Sequence, residues 1–488
     1  MKNTIVDAPA ADLTPLCIDL DGTLIRSDLL FEALVRLVTA HPVTLLRAPA
    51  ALLAGRAHLK RLVMTRADLD YAHLPVREEV MALARQAHTE GRPVHLVTAA
   101  DEVAAQHVAD RLGIFTAVHG SRPGRNLKGQ RKAAFLVDTF GSQQFDYVGD
   151  SPVDVPVWNE ARHAYVVGAG AETLKRSRSG RPMTVLAPMT PEPTLLASWW
   201  KALRPHQWTK NLLVLVPLLT SGRLLDPASI SWALLTCLLF SAVASGTYVA
   251  NDLLDMQSDR VHPTKRHRPF AGSRIPVMQG IVVGTLMVVG GCAVSFLVNP
   301  KLGLTMVAYS AATLAYSVRF KSAVLIDVTL LAGLYATRIF AGAVAIDVDL
   351  SFWLLAFAVF AFFSLALAKR YAEILRHPTG LDVRTNRRGY RATDAAPVLS
   401  LGTAAGVASV VILSLYINDS TARGAYGHPL LLWLIVPALL YWISRVWIVS
   451  TRGEMTDDPI VWALSDRLSL GVGGIVAALY VVARYLGA

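Results

Sequence analysis

From about residue 198 onward the chain alternates apolar stretches of roughly 17–23 residues with short polar connectors, about the length an α-helix needs to cross a bilayer. Lipid cannot satisfy exposed backbone groups, so this repetition predicts an all-α, polytopic membrane domain. About nine spans are expected, roughly at 211–222, 230–250, 276–297, 302–317, 324–346, 351–368, 396–416, 429–449 and 468–486. The connectors after the even-numbered spans hold DRVHPTKRHRP, SVRFK, KRYAEILRHPTGLDVRTNRRGYR and STRGEMTDDP, while those after the odd-numbered spans carry little basic charge. By the positive-inside rule the amino terminus and the charged loops are expected to face the cytoplasm. The same loops account for the net charge of +11, and no nucleic-acid partner is expected.

The preceding 190 or so residues have soluble composition. LCIDLDG, PVHLVTAAD and FDYVGDS read as strands separated by helical patterns, which predicts a doubly wound α/β sheet. The expected layout is an α/β domain at 11–175 with a helical cap at about 29–86, a linker at 176–197 and the membrane domain at 198–488. The stretch 48–66 is basic and amphipathic, and either rests on the membrane surface or packs on the cap. The opening MKNTIVDAPAADLTP has no apolar h-region, so no signal peptide is expected. Cys17, Cys237 and Cys292 lack CxxC spacing, and neither a disulfide framework nor a zinc site is indicated.

In IDLDGTLIRSD, Asp19 and Asp21 flank Leu20 at the end of a strand. Alternate strand residues point the same way, so both carboxylates can face one cavity beyond the sheet. Thr98 in HLVTA, Lys128 in NLKG, and Asp150 and Asp154 in GDSPVD follow in order. Together the four elements resemble the haloacid dehalogenase-like phosphatase superfamily. The resemblance implies that Asp19 is the nucleophile and that Asp21 is the general acid and base, while Thr98 and Lys128 hold the phosphoryl group and Lys128 also offsets the charge on Asp19. Mg²⁺ would lie on Asp19, Asp21, Asp150 and Asp154. The competing reading is a domain kept for docking alone.

After the second span, Asn251, Asp252, Asp255 and Asp259 follow at helical spacing. A continuing helix would bring the three aspartates to one face, where carboxylates need a divalent cation such as Mg²⁺. Lys265, Arg266 and Arg268 come next and suit a diphosphate. The fifth span carries Asp327 and Arg338, ionisable residues that inside a membrane segment mark a pathway or site. Lys369, Arg370 and Glu373 close the sixth span, and Lys210 and Asn211 open the domain in RPHQWTKN.

The NDxxDxxxD string, with QWTKNLLVLVPLL before it and YSVRFKSAVLIDV after it, resembles the UbiA superfamily of intramembrane prenyltransferases. Within that superfamily it is similar to the branch of decaprenyl-phosphate phosphoribosyltransferases. The resemblance implies transfer of 5-phosphoribosyl from phosphoribosyl diphosphate to a polyprenyl phosphate. Asn251, Asp252, Asp255 and Asp259 would bind Mg²⁺–diphosphate. Lys210, Lys265, Arg266, Arg268, Tyr316, Lys321 and Lys369 would hold phosphates, and Asn211, Arg338 and Arg370 would line the substrate site. Asp327 stands where aromatic prenyltransferases carry a fuller second aspartate motif, so its role as ligand or structural partner stays open. The product would bear a 5-phosphomonoester that the soluble domain removes. The alternatives are an aromatic prenyltransferase of quinone or haem biosynthesis, and a transporter. Homo-oligomerisation is left open.

Overall fold

The computed structural model describes residues 13–45, 47–53, 55–168, 170–172, 183–189, 191, 193–376, 389–419, 426–455 and 458–485. The amino-terminal stretch 1–12, the first part of the expected linker at 176–182, and the connector 377–388 lie outside them. The chain forms two compact units: Met1–Ala202 with Asp252–Val282, and Leu203–Asn251 with Val283–Ala488.

In the first unit, six strands form one parallel sheet: β1 (Leu16–Ile18), β2 (Val94–Asp101), β3 (Ala117–Ser121), β4 (Asp146–Gly149), β5 (Ala164–Val166) and β6 (Met183–Val185). Their order is β3-β2-β1-β4-β5-β6. Leu16, Cys17 and Ile18 are fully buried, as expected of a central parallel strand covered on both faces. The order reverses beside β1, and ligand crevices form beyond strand ends at such a switch. β6 falls inside the segment read as linker, so the sheet extends past residue 175.

The helix Leu29–Ala40 buries Leu29, Ala33 and Leu37 at four-residue spacing, the stripe of an amphipathic helix. Within 48–66, the helix Arg56–Arg66 packs Val63 and Met64 into the same core, whereas Ala48–Leu53 has no buried residue. The segment Asp252–Val282 belongs to this unit. It contains the helix Met256–Val261 and the 3-10 turn Lys265–His267, and the Phe270 ring meets the edge of Trp199.

Among the described residues, seven helices are long and apolar enough to cross a membrane: Pro227–Leu254, Val277–Val298, Ile326–Ala345, Phe352–Leu375, Ala392–Asn418, Pro429–Thr451 and Arg467–Arg484. Two expected spans take other forms. Pro300–Val318 is a 19-residue helix outside those seven. Its Thr305, Ser310, Thr313 and Ser317 hydroxyls lower the hydropathy and donate to carbonyls four residues back. The stretch read as the first span is 3-10 over Pro205–Leu215 and then a short helix, Val216–Thr220. Gly342 approaches the Val214 carbonyl so closely that a Cβ would not fit, and Pro217 supplies no N–H to a regular ladder.

Candidate active sites

A cavity of about 510 Å³ opens beyond the carboxyl ends of β1 and β4, and Asp19, Asp21, Lys128, Lys132, Asp150 and Asp154 are among its walls. Asp19 follows β1 directly and accepts from the Leu20 N–H at 2.8 Å. The turn after it needs Gly22, which has φ 75° and a position where a Cβ would strike the Asp150 carboxylate. Thr23 Oγ1 donates to Asp150 Oδ1 at 3.1 Å. Asp19, Asp150 and Asp154 each bring a carboxylate oxygen within 4.8 Å of the others. This all-oxygen donor set fits a hard divalent cation.

Two sequence expectations are corrected here. The lysine on Asp19 is Lys132, not Lys128: its Nζ lies 2.9 Å from Asp19 Oδ2 and 3.6 Å from Asp154 Oδ1. The helix Gln130–Phe140 begins after Gly129, so its first turn carries Lys132 inward while Lys128 stays on the cavity wall. Lys132 also donates to Tyr147 Oη at 2.8 Å, which in turn donates to Asp154 Oδ1 at 2.9 Å. Thr98 is buried, its Oγ1 accepting from the Ala100 N–H. The cavity wall is formed by Ala99, Ala100 and Asp101 instead.

Electrostatics divide the carboxylates. Asp21 is held well above the usual carboxylate range by burial and by neighbouring Asp28, and its Oδ1 accepts from the Leu29 N–H at 3.0 Å. Burial and Asp19 push Asp150 up to about 7. Asp19 is raised by burial, against the pull of Lys132. Lys60, which the sequence reading passed over, reaches into the same cavity and donates to the Ala99 carbonyl at 2.5 Å.

The aspartate loop departs from the expected stripe. The helix Pro227–Leu254 ends before Asp255, which has φ −92° and ψ 0° and precedes the separate helix Met256–Val261. Asp252 and Asp259 are buried and joined by one guanidinium: Arg268 Nη1 lies 3.1 Å from Asp252 Oδ1 and 2.7 Å from Asp259 Oδ2. Among the described residues, Asp252, Asp255 and Asp259 are not gathered as a metal-ligand trio. The continuous helix is therefore corrected, and Asp252 and Asp259 lie on either side of the Arg268 guanidinium. Lys265 and Arg266 lie in the 3-10 turn, with Arg266 exposed.

In the second unit the expected residues fall into three groups. Lys210 and Lys369 both approach one carboxylate oxygen, Asp458 Oδ2, at 2.9 and 3.0 Å, and Tyr335 Oη donates to the same carboxylate. Asp458, missed in the sequence, is the N-cap of a helix starting at Pro459; an Asp before a Pro at the first helical position is the signal that marks it. Arg370 Nε meets Asp327 Oδ2 and its Nη1 meets Glu373 Oε2, both at 2.5 Å, while Nη2 donates to Tyr316 Oη at 2.9 Å. Tyr390 Oη donates to the other Asp327 oxygen at 2.7 Å. Arg338 donates through Nε to Asn211 Oδ1 at 2.9 Å and through Nη2 to Tyr309 Oη at 3.1 Å. Asp327 thus pairs with Arg370. Asn251 borders an apolar cavity of about 630 Å³ whose walls include Phe296 and Leu314. Lys321 lies in the short turn Phe320–Ser322.

Residues 213–464 match the UbiA prenyltransferase family, and residues 16–158 match haloacid dehalogenase-like hydrolases. The chain belongs to the UbiA prenyltransferase family and carries a haloacid dehalogenase-like domain ahead of that region. It is 37% identical over 96% of its length to the uncharacterized protein y4nM of Sinorhizobium fredii, of which 91% is covered, so the fused arrangement is shared. It is 34% identical to nodulation protein NoeC of Azorhizobium caulinodans, covering 59% of this chain and 96% of that one. Over the UbiA part it is 32% identical to decaprenyl-phosphate phosphoribosyltransferase of Mycobacterium tuberculosis, covering 57% of this chain and 91% of that one. The chain is an integral, multi-pass membrane protein that joins a transferase-type domain to a hydrolase-type domain.

Proposed function

We propose that the chain is a bifunctional membrane enzyme. Its membrane domain moves 5-phosphoribosyl from phosphoribosyl diphosphate to a polyprenyl phosphate, and its soluble domain then removes the 5-phosphate. The transferase half rests on the likeness to decaprenyl-phosphate phosphoribosyltransferase. The observation that carries the hydrolase half is Lys132 set between Asp19 and Asp154 in a cavity built from strand ends.

In the soluble site an Asp19 oxygen attacks phosphorus, the P–O bond to the sugar breaks, and Asp21 gives the leaving oxygen its proton. Burial and Asp28 raise the pKa of Asp21, which favours the protonated form that an acid needs. Water then attacks the aspartyl phosphate and yields its proton to Asp21, releasing phosphate and restoring both residues. Lys132 offsets the charge that otherwise repels a phosphate from Asp19. Mg²⁺ on Asp19, Asp150 and Asp154 would add positive charge for the phosphoryl oxygens.

In the transferase, the lipid phosphate oxygen forms a bond to ribose C1 as the bond to diphosphate breaks. That oxygen is already anionic and needs no strong base. Lys210 and Lys369 share one carboxylate, which leaves one positive charge for a phosphate. Arg268, Lys265 and Arg266 supply cations on the aspartate loop for the diphosphate. The apolar cavity beside Asn251 suits isoprenoid carbon. The protein would lie in a bacterial inner membrane with its charged loops in the cytoplasm, where the soluble donor is available.

The test is the phosphate content of the lipid product. Wild-type protein given Mg²⁺, polyprenyl phosphate and phosphoribosyl diphosphate yields a lipid phosphoribose without the 5-phosphate, whereas Asp19→Asn yields the same lipid with it. Identical products from the two proteins contradict the hydrolase assignment.

A further inference from the structure

Glu32 lies in the first turn of the cap helix Leu29–Ala40, and Arg260 follows Asp259 in the helix Met256–Val261. Their side chains meet as a fork, Arg260 Nη1 donating to Glu32 Oε2 at 2.8 Å and Nη2 to Oε1 at 2.5 Å. The two residues are 228 positions apart, yet their side chains are only 5% and 0% exposed. Bidentate guanidinium–carboxylate pairing is the geometry best able to offset such burial.

Arg260 has further partners. Its Nε donates to the Ala271 carbonyl at 3.0 Å and Nη2 reaches Ser273 Oγ at 3.3 Å. One guanidinium thus joins both ends of the loop that begins at Asp259 and ties them to the haloacid dehalogenase-like fold. On the loop side, Asp259 shares Arg268 with Asp252. On the cap side, Asp28 caps the helix that carries Glu32, and the Leu29 N–H is bound to Asp21. Lys201, on the helix Leu195–Leu203 outside the hydrolase match, also holds the loop, its ammonium donating to the His267 carbonyl at 3.2 Å.

We infer that Glu32, in the hydrolase-like domain, is a positioning residue for the transferase: through Arg260 it holds the loop that bears Asp259 and Arg268, and that Arg268 joins to Asp252, in the shape that receives the donor's diphosphate. The inference rests on the transferase reading above. It makes donor binding depend on a side chain supplied by the other catalytic domain, which a merely tethered hydrolase would not do.

The test uses full-length protein in detergent, comparing wild type with Glu32→Gln, which keeps the size of the side chain and removes its charge. Amides at 256–273 should exchange with solvent about tenfold faster in the variant, because the buried guanidinium loses its ionic partner. The KM for phosphoribosyl diphosphate should rise about tenfold, with kcat and the KM for the lipid phosphate each within about twofold of wild type. Should Glu32→Gln fail to fold, Arg260→Lys keeps the charge but loses the fork and should show the same split. Combining Glu32→Gln with Arg260→Lys should add little to Arg260→Lys alone, because the two act as one unit. An unchanged donor KM, unchanged loop exchange, or an equal loss across both substrates and thermal stability would each overturn the inference. Wild type that transfers no phosphoribosyl would bring down the transferase reading and this inference with it, whereas active wild type with an unmoved donor KM in Glu32→Gln overturns the inference alone.

Discussion

Lys132 Nζ stands 2.9 Å from Asp19 Oδ2, with its side chain 2% exposed. At that distance a buried ammonium screens the carboxylate from an incoming phosphate and fixes its orientation. Lys132→Met should lower phosphomonoesterase kcat/KM by about 10²–10³-fold, and Lys128→Met by about tenfold. The comparison is read with a small soluble phosphomonoester, and a larger effect at Lys128 would contradict the assignment. Lys132→Met should also cost about 3–5 kcal/mol of stability in denaturant unfolding, since it strands buried charge.

Gly22 permits both a left-handed backbone and the close approach of Asp150. Gly22→Ala should therefore reduce hydrolase activity about tenfold or more through strain of about 1–3 kcal/mol at the acidic site. Transferase activity in the same preparation should stay within about twofold, which separates a local defect from global unfolding.

Asp458 holds Lys210 and Lys369 on one oxygen. Asp458→Ala leaves two ammonium groups facing each other and should cost about 3–5 kcal/mol in thermal or denaturant unfolding. Lys369→Met, which removes one positive charge, should raise the KM for the lipid phosphate about tenfold while leaving hydrolase activity unchanged.

His95 on β2 stacks on His119 and meets the Phe140 ring edge-to-face, and burial together with His119 lowers its pKa to about 4. The unfolded imidazole, near its ordinary value of about 6.5, binds a proton that the folded one refuses. Stability from this group is thus present above pH 6.5 and is lost as pH falls from there towards 4. The melting temperature should drop over that window, and His95→Gln should flatten the drop. An equally steep acid limb in the variant would assign it to other groups.

The acidic centre of the soluble domain was legible because Asp19 sits just beyond a strand end, where alternation decides direction, and because Asp150 and Asp154 belong to the GDSPVD element that carries the resemblance. Lys132 was not, since the choice between two lysines four residues apart turns on where a helix begins. The aspartate loop was misread for a similar reason: periodicity assumed a helix running through Asp255, and the backbone breaks there. Asp458 and the Glu32–Arg260 fork were hidden by distance along the chain, because periodicity records local neighbours and neither pair is local. The membrane spans were legible wherever an apolar run was regular. They were less so in the first span, where a 3-10 stretch at Pro205–Leu215 gives way to the short helix Val216–Thr220.

The most direct measurement follows label from ribose-ring-labelled phosphoribosyl diphosphate into the lipid fraction, using purified full-length protein with polyprenyl phosphate and Mg²⁺. The account predicts ring label in lipid, release of diphosphate, and loss of both when Arg268→Ala removes the cation shared by Asp252 and Asp259. No ring label in lipid from active protein, with a prenyl diphosphate and an aromatic acid reacting instead, would contradict it.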